Sequence, residues 1–189
     1  MTTQDIVNRL KDGNVRYTSD ELERKLQDNT RRSELTSGQA PFAIVLSCAD
    51  SRVVPELAFD TGLGELFVVR VAGNIANSSS IASIEYAVAH LGCQVIVVLG
   101  HQSCGAVSAA VQGGDNGYNL NHLLSHITPA IVAAGEHADI AAVVKKNAQI
   151  NAEELSNRSA IIREAVEQGN LTIVPDYYHL DSGEVEMLD

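Results

Sequence analysis

Four short runs, residues 42–46, 66–69, 95–99 and 171–174, are apolar at nearly every position. A strand with one face in water alternates apolar with polar, so runs without alternation suit strands of a parallel sheet covered on both faces. The intervening segments carry helical spacing. Ile81, Ile84, Val88 and Leu91 recur at helix period, Ser78 to Ser80 offer N-caps and Gly92 offers a stop, which together predict a strand, helix, strand unit. Further helical patterns cover about 119–134, 138–155 and 158–168. Asp181-Ser182-Gly183 reads as a turn joining residues 177–180 to 184–188, placing a hairpin strand on the sheet edge. The expected fold class is α/β, with a mostly parallel central sheet of four to five strands flanked by helices.

Residues 3–30 read differently. Two polar helices are expected there, one with Ile6, Val7 and Leu10 on a face and one around Leu22 and Leu26, each too thin in apolar residues to bury itself. They must lean on the main domain or on a partner subunit. At 189 residues the chain suits a single domain, with residues 1–35 as a helical arm and 36–189 as the α/β core. The formal charge of −11, with no basic stripe carrying interleaved aromatics, argues against a nucleic-acid partner. No run approaches membrane-spanning length, and the first ten residues lack the basic start and apolar run of a signal peptide, so no membrane association and a cytoplasmic location are expected.

Three cysteines, Cys48, Cys93 and Cys104, fit metal-binding or catalytic thiols in a reduced compartment better than a disulfide framework. Two of them lie where open α/β sheets place their sites, just past the carboxyl ends of strands. The first strand runs into Cys48-Ala49-Asp50-Ser51-Arg52, and the third into Gly100-His101-Gln102-Ser103-Cys104-Gly105. If the strands are neighbours, Cys48, His101 and Cys104 converge. Two thiolates and an imidazole suit Zn²⁺, and three protein ligands leave a tetrahedral ion one open position, the mark of a catalytic site. Alone, His-x-x-Cys also fits a buried cysteine beside a capping histidine. Asp50 and Arg52 sharpen the reading, because residues two apart in an extended segment project to one side and can form a bidentate pair beside a metal-bound water. Cys93 precedes a buried strand and is assigned to the core. His90, His122, His126, His137 and His179 lie outside these motifs and read as surface or packing residues.

The two motifs together resemble the paired zinc motifs of the β-class carbonic anhydrases. The similarity extends to residues 10–17 (LKDGNVRY), 38–41 (GQAP), 67–74 (FVVRVAGN), 84–88 (IEYAV) and 180–185 (LDSGEV). The resemblance implies one Zn²⁺ per subunit held by Cys48, His101 and Cys104, and reversible hydration of carbon dioxide to bicarbonate and a proton by zinc hydroxide. By the same resemblance Asp50, fixed by Arg52, would orient the hydroxide, and the family's closed state would make Asp50 the fourth ligand. It further implies a homodimer or homotetramer embraced by the N-terminal helices, with sites at the interface. Gln39 would then reach the neighbour's substrate, and Phe67 and Tyr86 would line an apolar cleft. Members with a regulatory bicarbonate site carry a Trp shortly before the first zinc cysteine; this chain has Val45 there and no Trp, so no such site is expected. Two rivals use the same residues: a related carbon disulfide or carbonyl sulfide hydrolase, and a non-catalytic zinc protein closed permanently by Asp50. A nucleotide site at Gly113-Gly114 is disfavoured, since those glycines follow no strand and present no phosphate-loop lysine.

Overall fold

The computed structural model describes residues 1–188. In chain order the elements are α1 (Thr3–Thr18), α2 (Asn29–Glu34), β1 (Ala43–Ser47), α3 (Pro55–Ala58), β2 (Leu66–Arg70), α4 (Ser78–Leu91), β3 (Val95–His101), α5 (Gly105–Gln112), α6 (Tyr118–Ser125), α7 (Thr128–Ala134), α8 (Ile140–Arg158), α9 (Ala160–Glu167), β4 (Thr172–Tyr178) and β5 (Val185–Met187). The sheet runs β2-β1-β3-β4-β5, with the first four strands parallel and β5 antiparallel at the edge. The expected α/β class and sheet are those observed.

The central strands β1 and β3 are buried at every position, as their unbroken apolar runs require. On one face, Ile44, Leu46, Ile96 and Val98 meet Ile84 and Ala87 of α4, Leu155 of α8 and Ile162 of α9. On the other, Val45, Val97 and Leu99 meet Ile6, Val7 and Leu10 of α1. So α1 leans on its own sheet, which resolves one of the two supports open to it. Its close approach depends on Gly13, where an added Cβ would lie 2.0 Å from the Phe59 carbonyl oxygen. Beside it Asn14 donates to the carbonyls of Ala58 and Gly183, both at 2.9 Å, and accepts the Val185 N–H at 2.9 Å. One buried amide thereby ties α1 to α3 and to the final hairpin.

Four sequence expectations are corrected. No helix forms around Leu22 and Leu26: Asp20, Arg24 and Leu26 adopt positive φ, and the Asp60 carboxylate accepts the N–H groups of Glu23 and Arg24. Those donors are taken by a long-range partner, and the next helix starts only at Asn29, capped by Asp28. The pattern over 119–134 is two helices, α6 and α7, because Pro129 in the first turn of α7 has no N–H to continue α6. Asn77, not Ser78 to Ser80, caps α4, accepting the Ser80 N–H at 2.9 Å, while Gly92 ends it in the left-handed region as expected. Finally, most of the 171–174 run and the start of 177–180 belong to one strand, β4 (Thr172–Tyr178), which crosses Pro175. The Pro175 carbonyl accepts from Leu188 N, so its missing donor also faces the β5 side, where β5 pairs only with Asp176 to Tyr178.

Asp176 is an anomaly in this core. It is 5% exposed beneath α1, its Oδ1 meets no partner among the described residues, and it lines a cavity of about 20 Å³ with Leu10, Phe59 and Val97. Burial pushes its carboxyl from 3.8 up to about 7, with Lys11 pulling weakly the other way. Between those values the folded chain keeps a proton that the unfolded chain has lost, so stability falls as pH rises through this window. The loss is complete above about 7 and amounts to on the order of 4 kcal/mol. Urea denaturation is expected to find Asp176→Asn close to wild type at pH 4 and more stable at pH 8; equal differences at both pH values would contradict this.

Candidate metal centre

β1 and β3 are direct neighbours in parallel register, with Ser47 opposite Leu99. Cys48 and His101 therefore emerge side by side at the carboxyl end of the sheet. Ser103, at φ 55, turns the chain so that Cys104 becomes the N-cap of α5. The ligand atoms of Cys48, His101 and Cys104 all lie within 4.8 Å of one another, and all three residues are buried. Tetrahedral zinc with bonds of ~2.0–2.3 Å places its ligand atoms about 3.5–3.8 Å apart. Small side-chain adjustments reach that spacing.

The donor set is prepared for a cation. His101 is fully buried, and its Nδ1 lies 2.9 Å from the Gln102 carbonyl, so Nδ1 carries the proton and donates. Nε2 is left as an acceptor that meets no hydrogen-bond partner among the described residues, within reach of the two sulfurs. Cys48 Sγ accepts the Gly73 N–H at 3.3 Å. Cys48 is drawn down from the usual thiol range, chiefly by the hydrogen bond from Cys104 and, against opposing burial, by the N–H groups of Gly73 and Asp50. Cys104 is pushed up by that same bond to Cys48 and by burial, although the Ala106 and Val107 N–H groups at the start of α5 pull it back. The two thiols thus pull each other in opposite directions, and a divalent cation bound between them would favour the thiolate form of both.

Asp50 stands beside this triad. Its Oδ2 is 3.9 Å from His101 Nε2 but 2.7 Å from Arg52 Nη2, while Oδ1 accepts from Arg52 Nε at 2.9 Å. Arg52, through this bidentate contact, holds the Asp50 carboxyl well below the usual carboxylate range. The backbone differs from the extended segment expected: Asp50 Oδ1 also accepts the Arg52 N–H at 3.0 Å, closing an Asx-turn over Ser51. Arg52 Nη2 reaches the Ser103 carbonyl at 3.3 Å, which links the two motif loops. Arg70 is a residue whose part the sequence did not disclose. Opposite Ser47 in register, it donates to the carbonyls of Cys48, Asp50 and Val53, at 2.9, 2.6 and 3.0 Å, and so clamps the whole loop. An arginine closing a strand beside the first cysteine was the available signal.

Gln39, Phe67 and Tyr86 are not gathered at this triad within the chain. Gln39 is exposed before the amino end of β1, whereas Cys48 follows its carboxyl end. The five residues of β1, about 16 Å of extended chain, lie between them. Phe67, paired with Ile44, sits toward the start of β2 and packs against the α4-side core. Its ring centroid is 6.4 Å from that of Tyr86, which is 49% exposed on α4. Cys93 is buried, donates to the Pro41 carbonyl, and is pushed up to about 11 by burial, the state of an unreactive core thiol.

Fold and site together define an open, mostly parallel α/β sheet with a Cys-His-Cys group that could hold a metal ion at its carboxyl ends and an Asp-Arg pair beside it. The sequence model of the carbonic anhydrase family matches residues 43–185. A carbonic anhydrase of Mycolicibacterium smegmatis is 40% identical over 185 residues, covering 94% of this chain and 89% of that protein. One from Pseudomonas aeruginosa is 39% identical over 176 residues, 82% of this chain and 76% of that one. Among solved structures, the Coccomyxa β-carbonic anhydrase in complex with acetazolamide superposes with a TM-score of 0.77 at 29% identity, covering 92% of this chain and 82% of that one. The chain belongs to the β-class carbonic anhydrases and is an enzyme of that family. No helix among the described residues is long and apolar enough to cross a membrane.

Proposed function

We propose that this enzyme reversibly hydrates carbon dioxide to bicarbonate and a proton, with one Zn²⁺ per subunit bound by Cys48, His101 and Cys104. The carrying observation is the convergence of the ligand atoms of Cys48, His101 and Cys104 within 4.8 Å, with the buried Nε2 of His101 meeting no hydrogen-bond partner among the described residues and Asp50 held aside by Arg52. Zinc bound there supplies Lewis acidity, lowering the pKa of water from 15.7 toward about 7. Two thiolates offset the ion's charge, so activity favours mildly alkaline pH. Asp50, ionised throughout that range, accepts a hydrogen bond from the attacking oxygen and turns its lone pair to the substrate. Arg52 fixes the direction of that carboxylate and gives it a station away from the metal, which speaks against a permanently closed structural site. Arg70 has its guanidinium engaged by three carbonyls, which together with Val45 supports the absence of a regulatory bicarbonate site.

The distance from Gln39 to its own triad favours a homodimer or homotetramer in which Gln39, Phe67 and Tyr86 serve a neighbouring subunit's site, with residues 1–35 contributing to the contact. The test is stopped-flow hydration of carbon dioxide across pH, with zinc measured on the same sample and with carbon disulfide and carbonyl sulfide assayed in parallel. Hydration that scales with zinc content and rises toward alkaline pH is expected. A zinc-loaded sample that turns over only the sulfur compounds, or neither gas, overturns the reading.

A further inference from the structure

The longest helix, α8, buries Val143, Val144, Ala148, Ala152 and Leu155 against the sheet. Within that apolar stripe stand Asn147 and Asn151, 1% and 4% exposed. Buried amides persist where their hydrogen bonds are made. These are made to one segment and to each other. Asn147 Nδ2 donates to the Gly73 carbonyl at 2.8 Å, and Asn151 Oδ1 accepts the Ala76 N–H at 2.6 Å. Asn151 Nδ2 donates back to the carbonyl and Oδ1 of Asn147, at 2.8 and 3.0 Å. Two turns further along, Arg158 donates to the Ala76 carbonyl.

The segment so held is the one that touches Cys48, through the Gly73 N–H at 3.3 Å from its sulfur. Its backbone is not one the chain adopts readily. Gly73 and Asn74 have φ of 73 and 43, and the buried Asn74 amide meets no partner among the described residues. An added Cβ at Gly73 would approach Ile127 Cδ1 to 2.9 Å, so the donor is brought in at close quarters.

We propose that Asn147 is a positioning residue for the metal centre: by holding the Gly73 carbonyl it keeps the Gly73 N–H on the Cys48 sulfur and tunes that thiolate as a ligand. This rests on the zinc reading given above. A hydrogen bond to a ligating sulfur draws electron density from it, and partners of ligands commonly set affinity by about 10–100-fold. Asn147 acts on the metal centre through the Gly73 carbonyl and, by way of its bonds with Asn151, through Ala76 of the same segment.

The test compares Asn147→Ala and Asn147→Ser with wild type and with Leu155→Ala, a core truncation on the same helix that leaves the Gly73 contact in place. Each full-length protein is titrated with zinc against a chromophoric chelator, and each is loaded with Co²⁺ to read the thiolate-to-cobalt charge-transfer band. Both Asn147 variants are expected to hold zinc about 10–100-fold more weakly and to shift that band. Leu155→Ala is expected to lower the melting temperature with both metal readouts unchanged in the folded protein. Wild-type affinity and spectrum in the Asn147 variants, whatever their melting temperature, overturn the proposal. So does a Leu155→Ala protein that reproduces their metal behaviour. A wild-type chain that binds neither metal sinks the underlying zinc reading instead, and the positioning role with it.

Discussion

Cys104→Ser and His101→Ala are each expected to yield folded protein without stoichiometric zinc and with carbon dioxide hydration at the uncatalysed background. Each removes one of the three ligands proposed for the metal. Partners one shell further out already affect affinity by about 10–100-fold, so loss of a ligand itself should exceed about 100-fold. The two variants also differ in a useful way. His101→Ala leaves a hole where a fully buried ring stood, whereas Cys104→Ser is nearly isosteric and keeps the N-cap position of α5. A loss of metal common to both therefore reports ligation. Zinc by atomic emission and hydration by stopped flow, on the same preparations, check the result; full zinc occupancy in Cys104→Ser would remove that sulfur from the ligand set.

Asp50→Ala is expected to keep zinc and lose about 100-fold in hydration rate, the scale on which misplacing a reacting group acts. Asp50 and Arg52 lie at the rim of the site, with side chains 17% and 53% exposed, so solvent screens their ion pair and it adds little to the stability of the fold. The activity loss is consequently not a stability effect, and an unchanged urea midpoint checks that. Arg52→Ala reaches low activity by another path. Freed of its bidentate partner, Asp50 starts only 3.9 Å from His101 Nε2 and is expected to take the metal's fourth position. The cobalt-loaded forms distinguish the two, since only Arg52→Ala gains a protein ligand. An Asp50→Ala enzyme with wild-type turnover and bound zinc would exclude Asp50 as the orienting group.

The parts of this molecule legible in its sequence are those where local pattern and tertiary role coincide. β1 and β3 announce themselves because strands covered on both faces cannot afford polar residues, and the triad is legible because its ligand-type residues sit at or just past the carboxyl ends of two such strands. Misreadings arose where a distant partner decides local structure. Leu22 and Leu26 have helical spacing, yet the Asp60 carboxylate captures the N–H groups that a helix would use. The Asp50 and Arg52 contact was anticipated, but an Asx-turn makes it rather than an extended backbone. Asn147, Asn151 and Asp176 were invisible for a related reason. A polar residue in a helix or strand reads as a solvent-facing position, and only packing reveals that it is buried and what it holds.

The central claim is that one zinc ion is held by Cys48, His101 and Cys104 with a fourth position left open. X-ray absorption at the zinc edge of the purified enzyme tests it most directly. Two sulfurs at about 2.3 Å and two lighter atoms at about 2.0–2.1 Å, one of them an imidazole nitrogen, are predicted. A zinc shell with one sulfur or none, or a pure preparation that takes up no zinc, would contradict the account.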